Sequence, residues 1–287
     1  MASPKASVQR RAGMRTTKVE APGDAPATEE AAVAEAVRRL VEALQPERIY
    51  LFGSRTRGEA HADSDYDFMV VVADETKAAR LDLERTAYAA LGGLNIANDV
   101  LVRTRASFEW ELPVVASLAA TIEREGRLLY GSAPKHRQAV SPMELEQRKL
   151  RLTRAWLARA SGDSRTADRM AQAPMEPSAV AFHSQQAAEK ALKAYLLWHD
   201  RPFRKTHKLQ KLVDQCAEIA PEFASLREAA QKLTPYVVAG RYPPAETEGQ
   251  FPAWAIEPSK EQAEEALHLA REIVAFIRNR LPTALEG

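Results

Sequence analysis

The stretch LFGSRTRGEAHADSDYDF, residues 51–68, sets two glycines, two arginines and three aspartates between two short apolar runs. A buried strand favours apolar side chains, yet Asp65 and Asp67 stand at the start of the second run, Phe68–Val72. Residues two apart on a strand share a face, so both carboxylates aim into one small volume. Left alone they would repel, and one would keep its proton. A divalent cation removes the conflict, because Mg²⁺ takes a few carboxylates together with substrate phosphates. Asp99 opens the next predicted strand and can supply a third carboxylate. Upstream, Arg48–Phe52 reads as a strand broken by Gly53, and a Gly-Ser turn leads into a short helix. Exposed N–H groups at such a turn bind phosphate oxygens. Ser54 adds a hydroxyl, Arg55 and Arg57 add charge, and Gly58 lets the chain turn.

Outward from this stretch, Val33, Ala36, Val37, Leu40, Val41 and Leu44 recur at helical spacing, which predicts a helix over 29–44 stopped by Pro46. Further helices are expected over 76–91 and 107–125, with strands at 48–52, 65–72 and 99–102. The first part of the chain is thus α-β-β-α-β-α, a small mixed sheet with flanking helices over residues 29–130. Residues 131–140, short and polar with Pro134, read as a linker. From 141 to 287 every patterned segment is helical, so the fold class is α+β followed by an all-α bundle. Ser141-Pro142-Met143-Glu144 and Ser259-Lys260-Glu261-Gln262 carry capping-box spacing. Helices are expected over 143–160, 163–171, 177–199, 207–219, 221–233 and from 260 to about 280. Residues 240–258, with three prolines, form a long irregular connection.

Forty basic and 39 acidic side chains nearly cancel, so bulk charge does not call for a polyanionic partner. Cys216 is the only cysteine, which excludes an intramolecular disulfide and fits a cytoplasmic location. No apolar run approaches the roughly 18–20 residues of a membrane span. Residues 1–28, with little apolar material, read as a disordered tail.

The pieces in order are Gly-Ser, ten residues, Asp-x-Asp, and an acid downstream. This pattern resembles that of the minimal nucleotidyltransferases of the DNA polymerase β superfamily. The resemblance implies that Asp65 and Asp67 hold two Mg²⁺ ions, and that Asp99 serves the catalytic ion and the acceptor hydroxyl. It implies further that Gly53 and Ser54 grip the phosphates of an NTP donor, most simply ATP, with pyrophosphate as the leaving group. In the second half, QQAAEKALKA (185–194), KTHKL (205–209) and GRYP (240–243) resemble a HEPN domain. Many HEPN domains cut RNA with an Arg four to six residues before a His at the last long helix. Here His268 lacks that arginine, and Arg201 and His207 have the spacing in an earlier loop. Ribonuclease activity is therefore not expected.

Three functions follow as expectations. The first is transfer of AMP from ATP to a hydroxyl on a protein or RNA, in a toxin–antitoxin-like fusion. The second is an aminoglycoside-type nucleotidyltransferase, disfavoured by the basic run Arg201, Arg204, Lys205, Lys208 and Lys211. The third is a non-catalytic nucleotide sensor, disfavoured by the three retained carboxylates. The small-residue stripe Ala187, Ala191 and Ala194 suggests a homodimer through the helical half. Trp156, Trp198, His183 and Cys216 read as packing residues, and His207 as a residue at a helix start.

Overall fold

A computed structural model of the chain describes residues 29–58, 64–76, 79–94, 96–133, 139–172, 174–203, 206–239 and 257–285. The expected tail, residues 204–205 and most of the irregular connection before 258 lie outside them. The first half contains α1 (Glu29–Leu44), β1 (Arg48–Phe52), β2 (Tyr66–Val72), α2 (Arg80–Leu91), β3 (Asn98–Thr104), α3 (Arg105–Glu111), α4 (Leu118–Glu125) and β4 (Arg127–Gly131). The helical half contains α5 (Pro142–Met170), α6 (Pro177–Trp198), α7 (Leu209–Ala217), α8 (Arg227–Leu233) and α9 (Lys260–Arg278).

The sheet order is β3-β2-β1-β4. β1 is antiparallel to β2 and β4, and β2 is parallel to β3. Both faces are covered, which is why β1 and β2 are apolar almost throughout. On one face Ile49, Leu51, Phe68, Val70, Val100 and Val102 meet apolar residues of α1 and α2 such as Leu40 and Leu83. On the other, Tyr50, Phe52, Met69 and Val71 meet Phe108 of α3, Leu112 just after it and Ile122 of α4. Each such large side chain contributes about 1.5–3 kcal/mol by leaving water.

Four elements differ from expectation, the first being the helix expected over 221–233, of which Pro221–Leu226 is a 3-10 helix and only Arg227–Leu233 is α-helical. The single helix over 107–125 is two, α3 and α4, parted by a segment holding Pro113, which has no N–H to donate to a helix ladder. Val114 and Ala116 in that segment turn into an apolar cluster with Leu197 of α6. The sheet gains a fourth strand, β4, whose largely uncovered edge lacks the apolar signature of β1 and β2. The helices expected over 143–160 and 163–171 are one, α5, continuous through Gly162. Ser161, Ser164 and Thr166 direct their hydroxyls to carbonyls four residues back, so no side chain competes to end the helix there.

Ser141 caps α5 by accepting the Glu144 N–H at 3.2 Å, but Glu144 turns to Arg148 at 2.6 Å rather than closing the box. The box at Ser259 and Gln262 is complete. Ala187, Ala191 and Ala194 are fully buried within the chain's own bundle, chiefly under α5 and α9. That stripe is therefore not offered to a second copy. Two arginines of α5 fasten the halves together: Arg148 and Arg151 lie over the Trp110 ring at 5.4 and 5.2 Å, and Arg148 also donates to the Trp110 carbonyl.

Candidate active site

β1 runs opposite to β2 and β3, so its end at Phe52 meets their beginnings. In register, Phe52 faces Asp67 across one pair and Asp67 faces Asp99 across the next. Gly53 follows at φ 87°, ψ −153°, a region open essentially to glycine alone. A Cβ placed there would lie 1.9 Å from Asp67 Oδ2. The glycine is thus required twice, by its backbone angle and by the carboxylate occupying the space beside it. Asp67 is buried, while Asp65 sits exposed just before β2. Ser54–Thr56 form the short helical turn expected after Gly53, closed by the Thr56 hydroxyl donating to the Gly53 carbonyl at 3.0 Å.

The arginines part company. Arg55 donates twice to the Ser64 carbonyl, at 2.9 and 2.7 Å, and once to Glu29 at 2.9 Å. Its guanidinium lies 3.8 Å from the centroid of the Tyr66 ring. It ties the turn after Gly53 to Ser64 and to α1, so its hydrogen-bonding groups face protein. Arg57 instead lines a cleft of about 460 Å³ between the two halves, together with Gly53 and Asp99.

Asp99 has a partner absent from the sequence reading. The Tyr88 hydroxyl donates to Asp99 Oδ1 at 2.8 Å and accepts the Val100 N–H at 3.3 Å. β3 is the edge strand, so the outward N–H of Val100 has no neighbouring strand, and Tyr88 of α2 supplies the acceptor. Partial burial, with Asp99 adding to it, pushes the Tyr88 phenol above its usual range, so it stays a donor at neutral pH.

Asp99, Leu101 and Arg103 alternate along one face of β3 into the cleft. Glu111, at the end of α3, also lines it. Burial pushes its carboxyl above the usual carboxylate range, against the pull of Arg103, the Ala119 N–H and Arg159. From the helical half come Trp156, Arg159, Lys193, Leu197 and Phe203. Neither Glu111 nor this opposite wall carries a local motif. The one sequence signal for it is the helical face Leu152, Ala155, Trp156, Arg159 at three- and four-residue spacing, which does not say what it faces.

Among the described residues no group of three or more His, Cys, Asp or Glu side chains is gathered as a metal cage. Asp67 and Asp99 come together as strand neighbours, and Asp65 stands apart from them in exposure.

His207 is not a helix-start residue. It precedes α7, and its Nδ1 lies 3.1 Å from Glu189 of α6. Glu189 is buried and also takes Lys193 at 2.7 Å and Gln185 at 2.9 Å. Burial would raise its pKa, but His207 and Lys193 outweigh that and hold it at about 2. His183 Nδ1 lies 2.9 Å from Asp163, which also binds Lys190. His268 is exposed on α9, 3.6 Å from Glu272. No described helix is long and apolar enough to cross a membrane.

Residues 32–129 match the nucleotidyltransferase domain family, and residues 153–280 match the HEPN domain family. Among solved structures, TT1696 from Thermus thermophilus is 34% identical, covering 45% of this chain and 98% of that one, with a TM-score of 0.38. The spectinomycin adenyltransferase AAD(9) from Enterococcus faecialis, solved with ATP and spectinomycin, is 10% identical, covering 86% of this chain and 99% of that one, with a TM-score of 0.46. No curated protein matches the chain. The two family matches fall in order on the sheet-bearing half and the helical half, and the chain is a nucleotidyltransferase domain followed by a HEPN domain.

Proposed function

We propose that the protein transfers a nucleoside monophosphate, in the first instance AMP from ATP, to a hydroxyl of an acceptor lying in the cleft between its two halves. The observation that carries this reading is the register of Phe52, Asp67 and Asp99 across three adjacent strands, with Gly53 following Phe52 against the Asp67 carboxylate and Gly53 and Asp99 lining that cleft. The turn at Gly53 and Ser54 would receive the donor phosphates, with Arg57 beside it. Asp67 and Asp99 suit Mg²⁺, which is held by one or two carboxylates and completed by substrate phosphates, and so needs no three-acid cage. When bound, the metal would lower the pKa of the acceptor hydroxyl and offset charge on the leaving pyrophosphate. Tyr88 fixes Oδ1 of Asp99 and with it the plane of that carboxylate. The walls from α4, α5 and α6 would exclude water and orient the acceptor.

The cleft, about 460 Å³, is the size of a small-molecule site. It suits a small acceptor, or one protruding residue or nucleotide of a larger one.

The test is incubation of the full chain with each labelled NTP and Mg²⁺, following pyrophosphate and the fate of the label. Asp67→Asn should abolish the metal-dependent reaction, and Asp99→Asn should slow it by on the order of 10²-fold or more. Release at the wild-type rate by both variants would sink the proposal.

A further inference from the structure

The cleft differs in character along its length. At one end are Gly53, Arg57 and Asp99, where the donor would react. Arg103 lies four residues beyond Asp99 on the same face of β3, a span of about 13 Å at a strand's rise. Here the charges gather: Arg103 from the sheet, Arg159 from α5 and Lys193 from α6, with Glu111 facing the two arginines. Glu189 behind Lys193 is the other carboxylate in reach. Three cations against two carboxylates leave one positive charge at this end; the cleft's remaining acid outside the donor site, Glu125, lies by Gly126 and Leu51 toward the donor end.

Lys193 strengthens the case. It is 7% exposed, and its ammonium lies 5.7 Å from the Trp156 ring centroid and 5.8 Å from that of Phe203. Drawing an ammonium and its carboxylate out of water is costly, and an apolar pair of similar volume often serves packing as well or better. Glu189 anchors His207 and Gln185 as well, but burial of Lys193 with it is not demanded by apolar packing alone. A wall that must present a fixed positive charge to a bound molecule gives a reason for it.

We propose that the acceptor is a small hydroxylated organic anion, such as a sugar phosphate, whose hydroxyl lies at Asp99 and whose anionic group is read by Arg103, Arg159 and Lys193. This rests on the proposed transfer reaction but is tested apart from it. A polycation would meet these side chains as like charges, so an aminoglycoside acceptor is disfavoured by the far wall itself. Arg159 is exposed and carries the specificity without supporting the fold.

The experiment titrates ribose 5-phosphate, ribose and spectinomycin into the full chain by calorimetry, for the wild type and Arg159→Gln, with ATP affinity measured separately. The wild type should bind ribose 5-phosphate at least tenfold more tightly than ribose, and spectinomycin no better than ribose. Arg159→Gln should cut the phosphate preference to under threefold and leave ATP affinity unchanged. Absence of a preference over ribose, a preference for spectinomycin, or a preference untouched in Arg159→Gln would each overturn the proposal. Because the readout is binding, these outcomes are distinct from failure of pyrophosphate release, which would instead remove the transfer reaction.

Discussion

Replacing Gly53 by alanine separates backbone strain from damage to the site. At φ 87° and ψ −153° a non-glycine residue costs on the order of 1–3 kcal/mol. The new Cβ would also stand 1.9 Å from Asp67 Oδ2, where ordinary contact needs about 3.5 Å. The carboxylate must then swing away by more than an ångström, a displacement that costs about 10²-fold when it misplaces a reacting group. Gly58→Ala is the matched control. Its φ is also positive, at 70°, but among the described residues nothing lies within 4 Å of the added Cβ. Strain alone should cost it about 1–2 kcal/mol. In a thermal melt both variants should unfold earlier, by about 2–4 °C per kcal/mol. In a pyrophosphate-release assay with ATP and Mg²⁺, Gly53→Ala should lose at least about 10²-fold in kcat, and Gly58→Ala should stay near wild type. Turnover by Gly53→Ala within threefold of wild type, or an equal loss in both, would refute the placement of Asp67 in the reaction.

Tyr88→Phe removes the donor to Asp99 Oδ1 while keeping the ring, and should lower kcat about tenfold with little change in the KM for ATP, read from steady-state kinetics. Asp99→Asn should cost on the order of 10²-fold or more in kcat, and single-turnover kinetics with nucleotide binding held saturating will distinguish a rate effect from a binding effect. Glu189 titrates at about 2 in the fold against 4.5 as a free side chain, so its stabilising contribution is fully present above about pH 4.5 and is lost as the pH falls toward 2. The loss is on the order of 3 kcal/mol. Denaturant melts from pH 6 down to 2 should show it, and Glu189→Gln should flatten that part of the profile. Arg55→Met should loosen the turn after Gly53 from Ser64 and raise the KM for ATP several-fold, which Tyr66→Leu should mimic if the stacked pair acts as a unit.

The motif of residues 53–67 was legible because its chemistry is local: a turn, a fixed spacing and two acids on a strand of period two. That logic located Gly53, Asp67 and Asp99 and the strands bearing them. It could not separate Arg55 from Arg57, since which one turns inward depends on Glu29, Ser64 and Tyr66, set in place by the fold. Tyr88 was hidden for a related reason. Its role exists only because β3 is an edge strand, and strand order is not written in any one segment. Glu111, Arg159 and Lys193 meet through the docking of two halves, about 50 and 80 residues apart in sequence. β4 escaped because a short edge strand with little buried surface lacks the apolar signature that marked β1 and β2.

The turn between α3 and α4 belongs by sequence to the nucleotidyltransferase domain, yet its Val114 and Ala116 are buried against Leu197 of α6, with Leu145, Leu152 and Trp156 around them. A chain cut after Gly131 would bare these side chains to water, and the HEPN half alone would bare the other side of the same contact. The two family domains should therefore unfold as one cooperative unit. Calorimetry should record a single transition, and dissection into separately expressed halves should yield sticky fragments. A seam of this kind also couples the halves mechanically: a substitution at Leu197 should be felt in the segment that follows Glu111 at the end of α3.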